Sequence, residues 1–232
     1  KAQGLAGKLV ADIRIDGAGK KVTRSDNCRV SDLSVSSDNL TFTYEAKSLP
    51  YPIDTSYYDN EKHTQADALS VIPFMDEMNY EGLSVSGLSD GYYGLTIGGE
   101  FIGRFTAREL ERGINMALLQ NTPQYKQAMK IRQMNEERWL KERKMREFYW
   151  VEYNLMRKTG MLWACNEAAV DTLRKYRPHD IFLQWNGDLW LQYMHKGIRE
   201  DCVNEQQDLV NQIYEQNKPI PLRIEIKKFT DL

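Results

Sequence analysis

The 232 residues suffice to bury a sizeable core and to build one or two domains. Thirty-one basic against thirty-three acidic residues leave a net charge of −2, which excludes a global field drawing the chain onto nucleic acid or an anionic membrane. No apolar run approaches the roughly 20 residues of a membrane helix, and the first residues do not read as an export signal. Cys28, Cys165 and Cys202 are odd in number and widely spaced. They form neither a disulfide framework nor a C-x-x-C metal motif, and incidental or buried thiols are the simpler reading, although one disulfide fits the count.

In chain order, the first hundred or so residues are rich in Ser, Asp, Gly, Thr and Val, and the next hundred in Glu, Lys, Arg, Gln, Met and Leu. Short alternating runs predict strands at Lys8 to Ile15, Arg29 to Val35, Leu40 to Glu45, Ala68 to Phe74, Leu83 to Ser86, Tyr92 to Ile97 and Glu100 to Phe105. The Ser-Asp pairs beginning at Ser25, Ser31 and Ser37 share no apolar pattern, so they mark turn edges rather than a repeat. Gly98-Gly99 is a two-residue hairpin signal. Thr106 and Glu109 form a capping box, which starts a helix expected over Ala107 to Leu119.

Thr122-Pro123 opens the next helix as cap and first position. Without a breaker before Gly160 it reaches about 36 residues and over 50 Å at 1.5 Å per residue. Its first half carries the favourable pairs Glu137/Lys141 and Glu142/Arg146, while Phe148 to Met156 is apolar nearly all round and demands a cover. Asn166 caps a helix over Glu167 to Tyr176, another helical stretch is expected between Asp188 and Asn217 with Gly197 weakening it, and Leu222, Ile224 and Ile226 alternate as a final strand. The expected class is α+β: an antiparallel sheet or sandwich module over 1–105, then a helical module with one very long helix and a C-terminal strand over 106–232.

Gly87-Leu88-Ser89-Asp90-Gly91 spells the G-x-S-x-G signature of a serine hydrolase, but the chemistry requires strand, strained turn and helix. Both flanks here alternate as strand, so Ser89 is read as part of a hairpin turn and not as a nucleophile. A triad of Ser89, Asp180 or Asp188, and His195 can be written in hydrolase order, yet triads are recognised by geometry and not by order. His63 lies in a polar loop, His179 at a helix end, and His195 has no second ligand at i+4, so no metal site assembles on local spacing. Four of the five tryptophans have apolar neighbours and are read as core, with a sugar-stacking surface as the alternative. No phosphate-binding glycine loop opens a helix.

The order from Gly87-Leu88 through Gly91, Leu95, Gly99, Ile102-Gly103, Phe105, Glu109-Leu110, Gly113-Ile114-Asn115, Ala117-Leu118-Leu119 and Thr122-Pro123, with Pro73-Phe74 upstream, resembles the region that follows the catalytic domain in bacterial SGNH (GDSL-type) hydrolases. In that group the catalytic serine, oxyanion-hole and Asp-x-x-His blocks lie before the point where this sequence starts, and Lys1 to Leu5 resembles the end of the helix after the last block. The resemblance therefore implies an accessory region that packs on an upstream catalytic domain, with a carbohydrate ester as one candidate substrate. It also implies an extracytoplasmic setting, since such proteins are commonly exported. It carries over no catalytic, cofactor-binding or metal residue. Other readings are a stand-alone carbohydrate- or protein-binding module, or an autonomous hydrolase using Ser89.

Overall fold

The computed structural model describes residues 9–55 and 64–229; the expected helix end at Lys1 to Leu5 and the loop at His63 lie outside the described residues. The chain forms two compact units. One comprises the chain up to Arg132 together with everything from Gln216 onward, and the other is Gln133–Glu215.

Among the described residues, the first unit is built on nine strands and the short helices between them. In chain order these are β1 (Ala11–Asp16), β2 (Lys21–Asp26), β3 (Cys28–Val35), β4 (Asn39–Ala46), helix α1 (Phe74–Glu77), β5 (Glu81–Ser86), β6 (Tyr92–Ile97) and β7 (Glu100–Thr106). Helix α2 (Ala107–Arg112), β8 (Ile114–Asn115), the first turns of α3 (Pro123–Val151) and β9 (Leu222–Lys228) complete it. One sheet has the order β2-β1-β5-β8 and the other β3-β4-β9-β6-β7. The β1–β5 pair is parallel, which the long excursion through β2, β3 and β4 permits; the other pairs are antiparallel.

Period-2 alternation fills the interior. Ile13 and Ile15 of β1, Leu83 and Val85 of β5, Phe42 of β4, Leu95 and Ile97 of β6, and Ile224 and Ile226 of β9 are buried in one shared cluster. The final strand forms as the sequence indicates. Its place is inside the second sheet, paired antiparallel with both β4 and β6. The β unit therefore draws on residues beyond 105, including β9 and the start of α3.

Other local expectations fail for identifiable reasons. Ala68 to Phe74 is not a strand: Gln65–Ser70 is a 3-10 helix, held by a Thr64/Asp67 capping box, and α1 follows. The helix begun by the Thr106/Glu109 box stops at Arg112, because Gly113 takes φ 94° and Ile114-Asn115 then pair with β5. Strand β2, whose sequence is KVTRSD, escapes detection because it is an exposed edge with no apolar rhythm. At Gly98-Gly99 the φ values of 59° and 86° make the expected hairpin between β6 and β7.

In the second unit, α3 continues to Val151 and passes into a single π turn, Glu152–Met156. Helices α4 (Glu167–Tyr176), α5 (Ile181–Tyr193) and α6 (Lys196–Gln216) follow. The stretch expected between Asp188 and Asn217 is thus two helices, interrupted at Met194-His195 and not at Gly197. Phe148, Val151, Leu155 and Met156 are buried against Ala169, Leu173, Leu183 and Trp190. The apolar second half of the long helix therefore finds most of its cover within its own unit. Tyr149 and Tyr153 stay 39% and 45% exposed.

Candidate functional site

Ser89 lies between β5 of the first sheet and β6 of the second, so Gly87 to Gly91 carries the chain from one sheet to the other and is not a hairpin. Gly87 at φ 73° and Gly91 at φ 142° supply conformations that side chains rarely adopt. Strand follows Gly91, so the turn lacks the helix of a nucleophile elbow. Tertiary structure brings two partners that the sequence did not indicate. Lys228 Nζ donates to Ser89 Oγ at 2.8 Å, and Tyr93 Oη lies 3.1 Å from the same oxygen while donating to the Ser89 carbonyl at 2.9 Å. A lysine that serves as base for serine is desolvated or set beside another cation, and this contact is exposed.

The remaining members of the written triad belong to the second unit, each with a local partner. Asp180 caps α5 by accepting from the amides of Phe182 and Leu183. Both oxygens of Asp188 take the Arg177 guanidinium at 2.6 and 2.7 Å, which holds its carboxyl below the ordinary range. His195 Nδ1 lies 3.3 Å from Cys165 Sγ. His179 closes the 3-10 turn Arg177–His179 after α4. No group of three metal-binding side chains occurs among the described residues, and all three cysteines are free.

A buried polar cluster in the first unit escaped the sequence reading. Glu81 is fully buried; Tyr44 Oη donates to its Oε1 at 2.8 Å, and Gln124 Nε2 approaches both carboxylate oxygens at 3.2 and 3.3 Å. Burial pushes the Glu81 carboxyl up to about 7, although the two donors pull it down. Gln124 Oε1 is buried with no donor among the described residues. The signal was available: Glu81 precedes Leu83 and Val85 by two and four positions, so a strand that buries them buries Glu81 too. Nearby, burial first and the acids Asp12, Asp26 and Glu81 next push the Cys28 thiol up to about 11.

The tryptophans depart from the core reading. Trp190 is fully buried, and its indole donates at 2.8 Å to Glu152, itself 1% exposed, whose other oxygen accepts from the Trp163 amide at 2.8 Å. Trp139, Trp163 and Trp185 are 46%, 45% and 66% exposed. Trp139, Arg143, Arg146, Glu147, Trp150 and Asn186 line an open cleft of about 350 Å³ in the second unit. Phe182 stands 5.2 Å from the Trp150 ring and 5.5 Å from that of Trp185, which extends the aromatic surface.

A comparison with the curated proteins finds no match. Residues 129–218, close to the limits of the second unit, match the family described as the diltiazem deacetylase C-terminal helical domain. Among solved structures, a gut microbial diltiazem-metabolizing enzyme matches at a TM-score of 0.90 and 37% identity, over 98% of this chain and 52% of that one. The chain therefore spans about half the length of that enzyme, and across nearly all of its own length it is similar to it in both fold and sequence.

Proposed function

We propose that this chain is the non-catalytic accessory region of an ester hydrolase of the SGNH (GDSL) type, acting beside a catalytic domain that precedes it. The observation that carries this reading is the 52% coverage: an enzyme 37% identical to this chain is about twice as long. The match of residues 129–218 to a deacetylase's C-terminal helical domain supports it, as does the lack of a desolvated base at Ser89. In this reading the chain packs on the catalytic domain, and an extracytoplasmic setting follows from the SGNH resemblance. Hydrolysis of p-nitrophenyl acetate by this chain, measured beside Ser89→Ala, is expected to be equal in the two and at background. Turnover abolished specifically by Ser89→Ala would make the chain a hydrolase in its own right and overturn the proposal.

A second reading, a carbohydrate-binding role, draws on the open cleft. Flat indole rings beside guanidinium, carboxylate and amide groups suit stacking and hydrogen bonding to sugars. Titration of tryptophan fluorescence with a panel of oligosaccharides is expected to show saturation that Trp139→Ala, in the cleft, abolishes; no response to any of them removes this reading.

A further inference from the structure

We propose that Cys165 and His195 form a thiol–base pair that makes Cys165 the site of thiol–disulfide exchange with small-molecule disulfides. The two residues are 30 positions apart and neither sequence segment announces the other, yet Sγ and Nδ1 lie within hydrogen-bonding distance at 3.3 Å. A nucleophile paired with a base in this way has the basic element of activated-thiol chemistry. Access is provided as well, since Cys165 is exposed.

The surrounding elements hold the pair. Cys165 directly precedes Asn166, whose side chain caps α4 by accepting from the Ala169 amide at 3.0 Å. The thiol is thus attached next to the N-terminus of a ten-residue helix. His195 occupies the short break between α5 and α6. Its carbonyl accepts from the Arg199 amide, and Arg199 also donates to the carbonyls of Tyr193 and Met194 at 2.5 and 2.7 Å. The backbone carrying the imidazole is therefore tied down on both sides. The other two thiols lack both features: Cys28 and Cys202 are buried, and the Cys202 thiol donates weakly to the Lys141 carbonyl at 3.7 Å.

The exchange balances without any further reagent. His195 Nδ1 takes the proton from Cys165, and Sγ attacks one sulfur of the incoming disulfide. A new S–S bond forms, the old one breaks, and the departing thiolate can recover the proton from His195. Cys165 is oxidised to the mixed disulfide and the departing sulfur is reduced.

The test uses 5,5′-dithiobis(2-nitrobenzoate) on the native chain at neutral pH, with a synthetic peptide covering residues 161–169 as an unassisted reference. One thiol per chain is expected to react, about a hundredfold faster than the peptide, the lower range of assistance by a positioned base. Cys165→Ser should abolish the fast phase, and His195→Gln should return the rate to that of the peptide with an unchanged circular dichroism spectrum. Equal rates for wild type and His195→Gln, or a wild-type rate no faster than the peptide, would overturn the proposal. A second readout does not depend on the histidine variant folding: the ¹⁵N resonance of His195 Nδ1 is expected to move on Cys165→Ser, and its failure to move would also overturn the pairing.

Discussion

Glu81 is a carboxyl group whose two oxygens are met by the neutral donors of Tyr44 and Gln124 deep inside the first unit. Its titration is raised to about 7 from an ordinary 4.5, so the folded chain binds this proton more tightly than the unfolded chain does. The sign follows from linkage. The contribution of Glu81 to stability is most favourable below about 4.5 and is lost as pH rises through about 7, amounting to at most about 3 kcal/mol. Urea midpoints of the wild type should therefore fall between about pH 4.5 and 7 and level off above that, relative to those of Glu81→Gln. Parallel curves for the two proteins would show that Glu81 does not carry the effect. In the second unit the corresponding polar contact is Trp190 Nε1 to Glu152. Trp190→Phe leaves a buried carboxylate oxygen without its donor and should cost about 2–4 kcal/mol, read from denaturant unfolding. A loss below half a kilocalorie would mean that water replaces the indole.

At the scale of elements, the caps were legible because their signals are local. Thr106 accepts from the Glu109 amide and Glu109 returns to the Thr106 amide at 2.7 Å, a pattern complete within four residues. Thr106→Ala should lower stability by about 1 kcal/mol, checked by thermal melting; Thr106→Ser should restore most of it. The extent of the same helix was not legible. Gly113 turns the chain at φ 94° so that Ile114 and Asn115 can pair with Leu83 and Gly82 of β5, a partner some thirty residues away. Gly113→Ala would find ordinary contact distances, with Ser84 Cβ 3.5 Å from the added methyl. The expected cost of about 1–2 kcal/mol is therefore conformational, and an unchanged melting temperature would argue against it.

For the whole molecule, β9 shows most clearly what tertiary structure adds. The alternation of Leu222, Ile224 and Ile226 with Arg223, Glu225 and Lys227 marks a strand, but pairing depends on a distant edge that periodicity does not name. Its position between β4 and β6 ties the end of the chain to the first unit. Truncation after Gln216 should therefore expose two strand edges and a buried apolar face. Loss of the β signal in circular dichroism, with dye-binding apolar surface, is the expected outcome; a truncated chain with an unaltered spectrum would show that β4 and β6 close on each other without it.

By itself the sequence determined the α+β class, the caps of α2 and α4, the glycine hairpin between β6 and β7, and the absence of helix after Gly91. These rest on interactions spanning a few residues, where residue type and spacing are the whole of the physics. Tertiary structure alone decided the parallel β1–β5 pair, the place of β9, the meeting of Glu81 with Tyr44 and Gln124, and the exposure of Trp163 and Trp185 where their neighbours suggested a core. It also brought Cys165 to His195. Each of these depends on which distant surfaces meet, and a contact between remote residues leaves no periodicity in either segment that makes it.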